Sequence, residues 1–160
     1  MPLGFAAPLN LPPAFDNERA TRTLAEMEAL APDLAGEAGF RSVLEFAAGN
    51  SPYLARLMLK ERAFLPELLQ RGPALCLAAL NAEALATGED SDTESVMRRL
   101  RAAKRRAALA IGLADIAGVF DLGAVTGALT RFAESCVRGA LRFLLAGTAR
   151  QHGQADTAPR

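Results

Sequence analysis

Tryptophan is absent from this chain of 160 residues, tyrosine and histidine occur once each, and cysteine occurs twice. A histidine-based triad or metal site would have to be built on His152. That residue lies in a polar tail with no triad or ligand pattern around it, and it reads as a surface side chain. The cysteines, Cys76 and Cys136, stand far apart, each inside an apolar helical pattern. They suit small core residues in a reducing compartment better than a disulfide framework. Neither acid nor base is in excess, with 18 of each, so no overall charge draws the chain to nucleic acid or to a membrane. β-Branched residues are few, which starves a sheet of suitable side chains. The glycines are scattered as helix stops and form neither a phosphate loop nor a dinucleotide fingerprint, which excludes nucleotide binding by these devices.

Long hydrophobic runs are missing as well. The longest, residues 107–120, carries Asp115 and falls short of the ~20 apolar residues that cross a bilayer, so it reads as a buried helix. Residues 1–13 have neither the basic nor the apolar region of a signal peptide, and a cytoplasmic location is expected.

Alanine and leucine dominate, and 51% of the chain is apolar. This predicts an all-α fold: six to seven helices in a compact bundle, with two long helices at the C-terminal end. Residues 1–15 hold four of the nine prolines and are expected to form an irregular arm, anchored by Phe5, Leu11 and Phe15. The helical domain is expected over residues 16–150, followed by a polar tail over 151–160.

Within that domain, Asp16 or Asn17 caps a helix repeating Leu24, Met27 and Leu30 before Pro32. A second helix runs through Phe40, Val43, Leu44 and Ala47 to Gly49. Ser51 and Pro52 start a third, with Tyr53, Leu54, Leu57 and Met58 as one stripe. A short helix through Leu65 and Leu68 closes on Gly72, and Pro73 opens another to Thr87, with Leu75, Cys76, Ala79, Leu80 and Ala84 on one side. Ser91 and Glu94 have capping-box spacing before a helix from Thr93 to about Gly118, striped by Val96, Leu100, Ala103, Ala107, Ile111 and Ala114. Asp121 caps the last helix, whose stripe runs from Leu122 through Leu129, Cys136 and Val137 to Leu145, with an end near Arg150.

Two patterns invite a functional reading. Glu45, Asp115 and Glu134 lie near apolar helix faces, where converging acids perform acid/base work or hold magnesium; a surface or helix-contact role is the favoured reading of each. Arg98, Arg99, Arg101, Lys104, Arg105 and Arg106 place six cations in nine residues. Arg98, Arg101, Lys104 and Arg105 are the candidate docking residues for an acidic partner, against a solvated helical face as the simpler reading. No aromatic side chain interleaves to stack bases, so nucleic acid is disfavoured. No catalytic, cofactor-binding or metal-ligating residue is assigned.

The segments Gly49-Asn50-Ser51-Pro52-Tyr53-Leu54 and Leu113-Ala114-Asp115-Ile116-Ala117-Gly118 are followed by Asp121-Leu122, Val125-Thr126, Leu129-Thr130 and Phe132-Ala133-Glu134. In this order they resemble the glutamine synthetase adenylyltransferase family, in its alphaproteobacterial form, over residues 40–150. The resemblance implies a segment of a large bifunctional cytosolic enzyme that transfers AMP from ATP to glutamine synthetase and, in its N-terminal half, removes it by phosphorolysis. It implies glutamine synthetase, a nitrogen-signalling regulatory protein and the rest of the same polypeptide as partners, with ATP or AMP and magnesium at a nucleotidyltransferase core. The residues that would hold magnesium have no match here, so the isolated chain is expected to be inactive and residues 151–160 to lead toward that core. The pattern departs at Ala114, where many members carry arginine. The rival expectation is a free-standing helical interaction module that binds an acidic protein or RNA through residues 98–106.

Overall fold

The computed structural model describes residues 11–30, 38–89 and 92–155. Among them are seven α-helices and no strand: α1 (Asn17–Leu30), α2 (Ala38–Asn50), α3 (Pro52–Lys60), α4 (Leu65–Arg71), α5 (Pro73–Ala86), α6 (Thr93–Ile116) and α7 (Leu122–Ala155). Single 3-10 turns at Arg62–Phe64 and Thr87–Glu89 join α3 to α4 and extend α5. The expected all-α bundle with two long final helices is the architecture found.

Helix starts follow the capping chemistry of the sequence. The Asp16 carboxylate accepts from the Arg19 amide at 2.8 Å, and the Ser51 hydroxyl accepts from the Leu54 amide at 3.2 Å. Asp121 accepts from the Ala124 amide at 2.7 Å. At α6 the cap is Asp92, which accepts from the Ser95 amide at 2.8 Å, rather than the expected Ser91, which lies outside the described residues. Asp92 is the better placed of the two because it directly precedes the first helical residue.

α6 is the central element, packed against α2, α3, α5 and α7. Its expected stripe is largely correct: Val96, Ala103, Ala107, Ile111 and Ala114 are buried, joined by Leu109, Ala110 and Leu113, while Leu100 is half-buried. Phe40, Val43, Met27, Met58, Leu65 and Leu68 complete a continuous core around it. Each such side chain contributes roughly 1.5–3 kcal/mol through removal from water.

Several faces differ from expectation. In α5, Leu75 is 53% exposed and Ala79 is also exposed, while Leu77 is buried with Pro73, Cys76, Leu80 and Ala84. α5 is alanine and leucine on nearly every side, so spacing selects no face; the inward-packed Pro73 at its start sets the register. Tyr53 likewise points outward at 47% exposure. In the arm, Leu11 packs on the core but Phe15 is 93% exposed and anchors nothing through its ring; Phe5 lies outside the described residues. α2 begins at Ala38, so Gly39 lies in its first turn.

α7 departs most. It continues to Ala155, past the expected end near Arg150. The residues it turns inward are mostly small, Ala128, Ser135 and Gly139, with Phe132, whereas Leu122, Leu129, Val137, Leu141, Leu144 and Leu145 are all more than half exposed. The cause is a close crossing with α5. A Cβ at Gly139 would lie 2.1 Å from the Ala84 carbonyl oxygen and 2.7 Å from the Thr87 hydroxyl, and a Cβ at Gly88 would lie 2.7 Å from the Arg142 Cβ. Backbone therefore meets backbone where α7 crosses the end of α5, and the larger side chains of α7 are left on its other side.

Gly139→Ala is expected to destabilise the chain by about 1–3 kcal/mol, because the added methyl group meets a backbone oxygen that has no rotamer to escape into. Gly147→Ala, in the same helix with nothing within 4 Å of the added atom, is expected to stabilise by about 0.5–1 kcal/mol. Urea unfolding of the two variants checks both signs.

Candidate functional site

The six cations of α6 do not form a single surface. The Glu61 carboxylate, only 6% exposed, accepts from Arg105 Nε at 2.5 Å and from Arg106 Nε at 3.0 Å. The Arg106 guanidinium also stands 6.0 Å from the centre of the Phe64 ring. These contacts tie α6 to the turn after α3. Arg99 donates to the Glu83 carbonyl at 3.4 Å, and Arg98 pairs with Glu94 at 3.3 Å on the surface.

Arg101 and Lys104 are different. Both are exposed, and neither makes an ion pair among the described residues. They border an open groove of about 500 Å³ between α6 and α7, floored by Leu100, Ala107, Ile111, Leu129, Phe132 and Val137. The groove wall is almost wholly apolar, as the outward side chains of α7 dictate.

Of the four expected docking residues, the structure therefore places Arg101 and Lys104 at the groove and turns Arg105 inward to Glu61. Arg98, Arg101 and Arg105 also share a second surface hollow with Met97 and Glu94. The hub role of Glu61 went unforeseen, since its neighbours Lys60 and Arg62 give it the look of an ordinary surface charge.

Both cysteines are free, as expected. Burial pushes the thiol of Cys136, at the groove wall, upward from its ordinary range, and the Lys104 charge opposes the shift. Cys76 is raised in the same way by burial, with Glu67 adding to the shift and Arg71 opposing it.

Glu45, Asp115 and Glu134 are exposed and stand on α2, α6 and α7. Among the described residues no group of three or more His, Cys, Asp or Glu side chains is placed to hold a metal ion. No described helix is long and apolar enough to cross a membrane. The side chain of His152 lies outside the described residues.

Of the sequence segments that carried the family resemblance, 49–54, 113–118 and Asp121-Leu122 are helix ends, while Val125-Thr126, Leu129-Thr130 and Phe132-Ala133-Glu134 lie along α7. Asn50 accepts from the Phe15 amide at 3.2 Å and donates to the Phe46 carbonyl at 2.9 Å, while Ser51 caps α3. Beside them Arg19 donates to the Ala48 carbonyl at 2.8 Å and to the Gly49 carbonyl at 2.6 Å, two of the carbonyls in the last turn of α2. At the other segment Gly118 takes a φ of 66°, a conformation glycine adopts without strain, and its amide donates to the Asp115 carbonyl at 2.9 Å. The Val119 amide closes the same turn on the Ala114 carbonyl at 2.9 Å. Asp115 thus contributes backbone geometry, and its side chain faces solvent.

The described residues define an all-α helical bundle. Its polar side chains cap helices and pair charges, and a row of exposed apolar side chains lies along α7. The chain belongs to the glutamate-ammonia ligase adenylyltransferase family, whose sequence profile matches residues 42–159. It is 44% identical over 110 residues to a bifunctional glutamine synthetase adenylyltransferase/adenylyl-removing enzyme of Xanthobacter autotrophicus, covering 69% of this chain and 11% of that protein. The enzyme of the same description from Caulobacter vibrioides is 44% identical over 96 residues, covering 60% and 10%. That from Brucella suis is 32% identical over 140 residues, covering 81% and 14%. The matched stretch thus spans between 10% and 14% of the length of these relatives. No solved structure matches it.

Glu61→Ala is expected to destabilise the chain by about 2 kcal/mol, since two charge-assisted hydrogen bonds are lost from a buried acceptor. Arg101→Ala, at an exposed cation with no ion pair among the described residues, is expected to change stability by less than about 0.5 kcal/mol. Thermal or urea unfolding decides. For the groove thiol, Lys104→Ala removes the charge that favours thiolate, so alkylation of Cys136 at pH 8 is expected to slow relative to the parent chain, with mass spectrometry following the adduct.

Proposed function

We propose that the chain is a helical scaffold from the N-terminal, adenylyl-removing half of a bifunctional glutamine synthetase adenylyltransferase, supporting a nucleotidyltransferase core supplied by the longer polypeptide. The family match over residues 42–159 carries the reading, supported by relatives whose own description names both adenylyl transfer and adenylyl removal. In this account glutamine synthetase is the protein acted upon, a nitrogen-signalling protein regulates the enzyme, and the cytoplasm is the compartment.

Magnesium and ATP or AMP belong to the parent activity. The described side chains do not fit them: the acids on α2, α6 and α7 are dispersed and exposed, and the glycines serve helix ends and close crossings. No step of the reaction is therefore assigned to this chain. Its contribution is mechanical, with Glu61 holding α6 to the turn after α3 and the Gly139 crossing holding α7 to the end of α5.

The rival reading, a free-standing module that grips RNA or an acidic protein through residues 98–106, draws on cations that are largely committed. Arg105 and Arg106 are tied to Glu61 and Arg98 to Glu94.

The test is to mix the purified chain with glutamine synthetase labelled in its adenylyl group, phosphate and magnesium. No label is expected to be released. Release at a rate above the chain-free control would overturn the scaffold assignment.

A further inference from the structure

Four of the six cations in the basic stretch of α6 have partners inside the chain, and the two that make no ion pair among the described residues, Arg101 and Lys104, stand on the same rim of the α6–α7 groove. Apolar surface continues from that groove along α7 through Leu141, Leu144 and Leu145, beyond what a small molecule would cover. A long apolar seam edged by positive charge matches one face of an amphipathic helix whose acidic residues lie beside its apolar row.

A second copy of this chain fits that description poorly. Residues 122–149 of α7 include a single acid, Glu134, against Arg131, Arg138 and Arg142. Pairing α7 with its copy would bring arginines toward Arg101 and Lys104.

Resting on the family reading above, we propose that the α6–α7 groove is the seat of an acidic amphipathic helix supplied by another part of the same longer adenylyltransferase polypeptide. The relatives extend far beyond the matched tenth, so a helix elsewhere in the same polypeptide would meet the groove at high effective concentration. Its apolar row packs against Leu129, Phe132, Val137 and Ile111, and its carboxylates reach Arg101 and Lys104. The apolar contact supplies most of the affinity and the two cations select orientation and partner.

The chemistry is tested on the 160-residue chain with two helical probe peptides that share a leucine row at every third and fourth position, one flanked by glutamates and the other by lysines. The glutamate peptide is expected to bind at least about tenfold more tightly at low salt, and the double variant R101E/K104E to reverse the preference. Equal binding, or binding unaffected by the variant, would overturn the proposal. The source is tested in the intact Xanthobacter relative, with a photo-crosslinking residue at the position aligned with Val137 and a control at that aligned with Arg62. The expected product at the first position is an intramolecular crosslink to an acid-rich helical segment outside the matched stretch. A crosslink to a second copy or to glutamine synthetase, or none at all, contradicts the proposal. If that enzyme still removes adenylyl groups, the scaffold assignment stands while the groove assignment falls.

Discussion

The crossing of α7 over the end of α5 fixes most of what this molecule presents to its surroundings. Gly139 sits where a single methyl group would collide with the Ala84 carbonyl, and Gly88 sits where one would collide with Arg142. Helices that approach this closely pack backbone to backbone, so the contact face must be made of small residues. Gly139 meets that demand on α7, whose other small buried residues are Ala128 and Ser135. The leucines and valine of the helix are thereby assigned to the opposite side. A helix that looks amphipathic in sequence thus buries its small-residue face and leaves much of its large apolar face open.

The second anchor is electrostatic. Glu61, nearly excluded from water, is held by two arginines from the same turn of α6. Removing a carboxylate from water is unfavourable unless its lone pairs are used, and here they are used by donors that themselves remain half-exposed. The pair sets the position of α3 and the following turn against α6, and it withdraws two cations from the surface. What remains free at the groove is a charge pattern much narrower than the sequence stretch that contains it.

Helix number, order and most boundaries were legible because they rest on local chemistry. Asp16, Ser51 and Asp121 cap where their side-chain oxygens reach free amides, and Gly72 and Gly118 end helices with φ values of 78° and 66°. The stripe of α6 was legible because that helix alternates strongly apolar and charged faces. The inward face of α5 was not, since alanine and leucine surround it, nor was that of α7, where the tertiary constraint reverses the usual preference for burying large side chains. Phe15 failed as an anchor because one aromatic ring in an irregular segment has no periodicity to locate it. The candidate docking set was legible as a cluster of charge; its division into paired and unpaired members depended on Glu61, forty-odd residues away. The family segments at 49–54 and 113–118 proved to be caps and turns, whose backbone geometry is local and therefore readable in sequence.

A structure of the intact Xanthobacter relative, determined by cryo-electron microscopy or crystallography, tests the central claim most directly. The account predicts that the segment aligned with this chain contributes no side chain to a nucleotide or magnesium site, and that the helix aligned with α7 has its large apolar face covered by the same polypeptide. Magnesium-bound carboxylates within the aligned segment, or an α7 face left open to solvent in the complete enzyme, would contradict it.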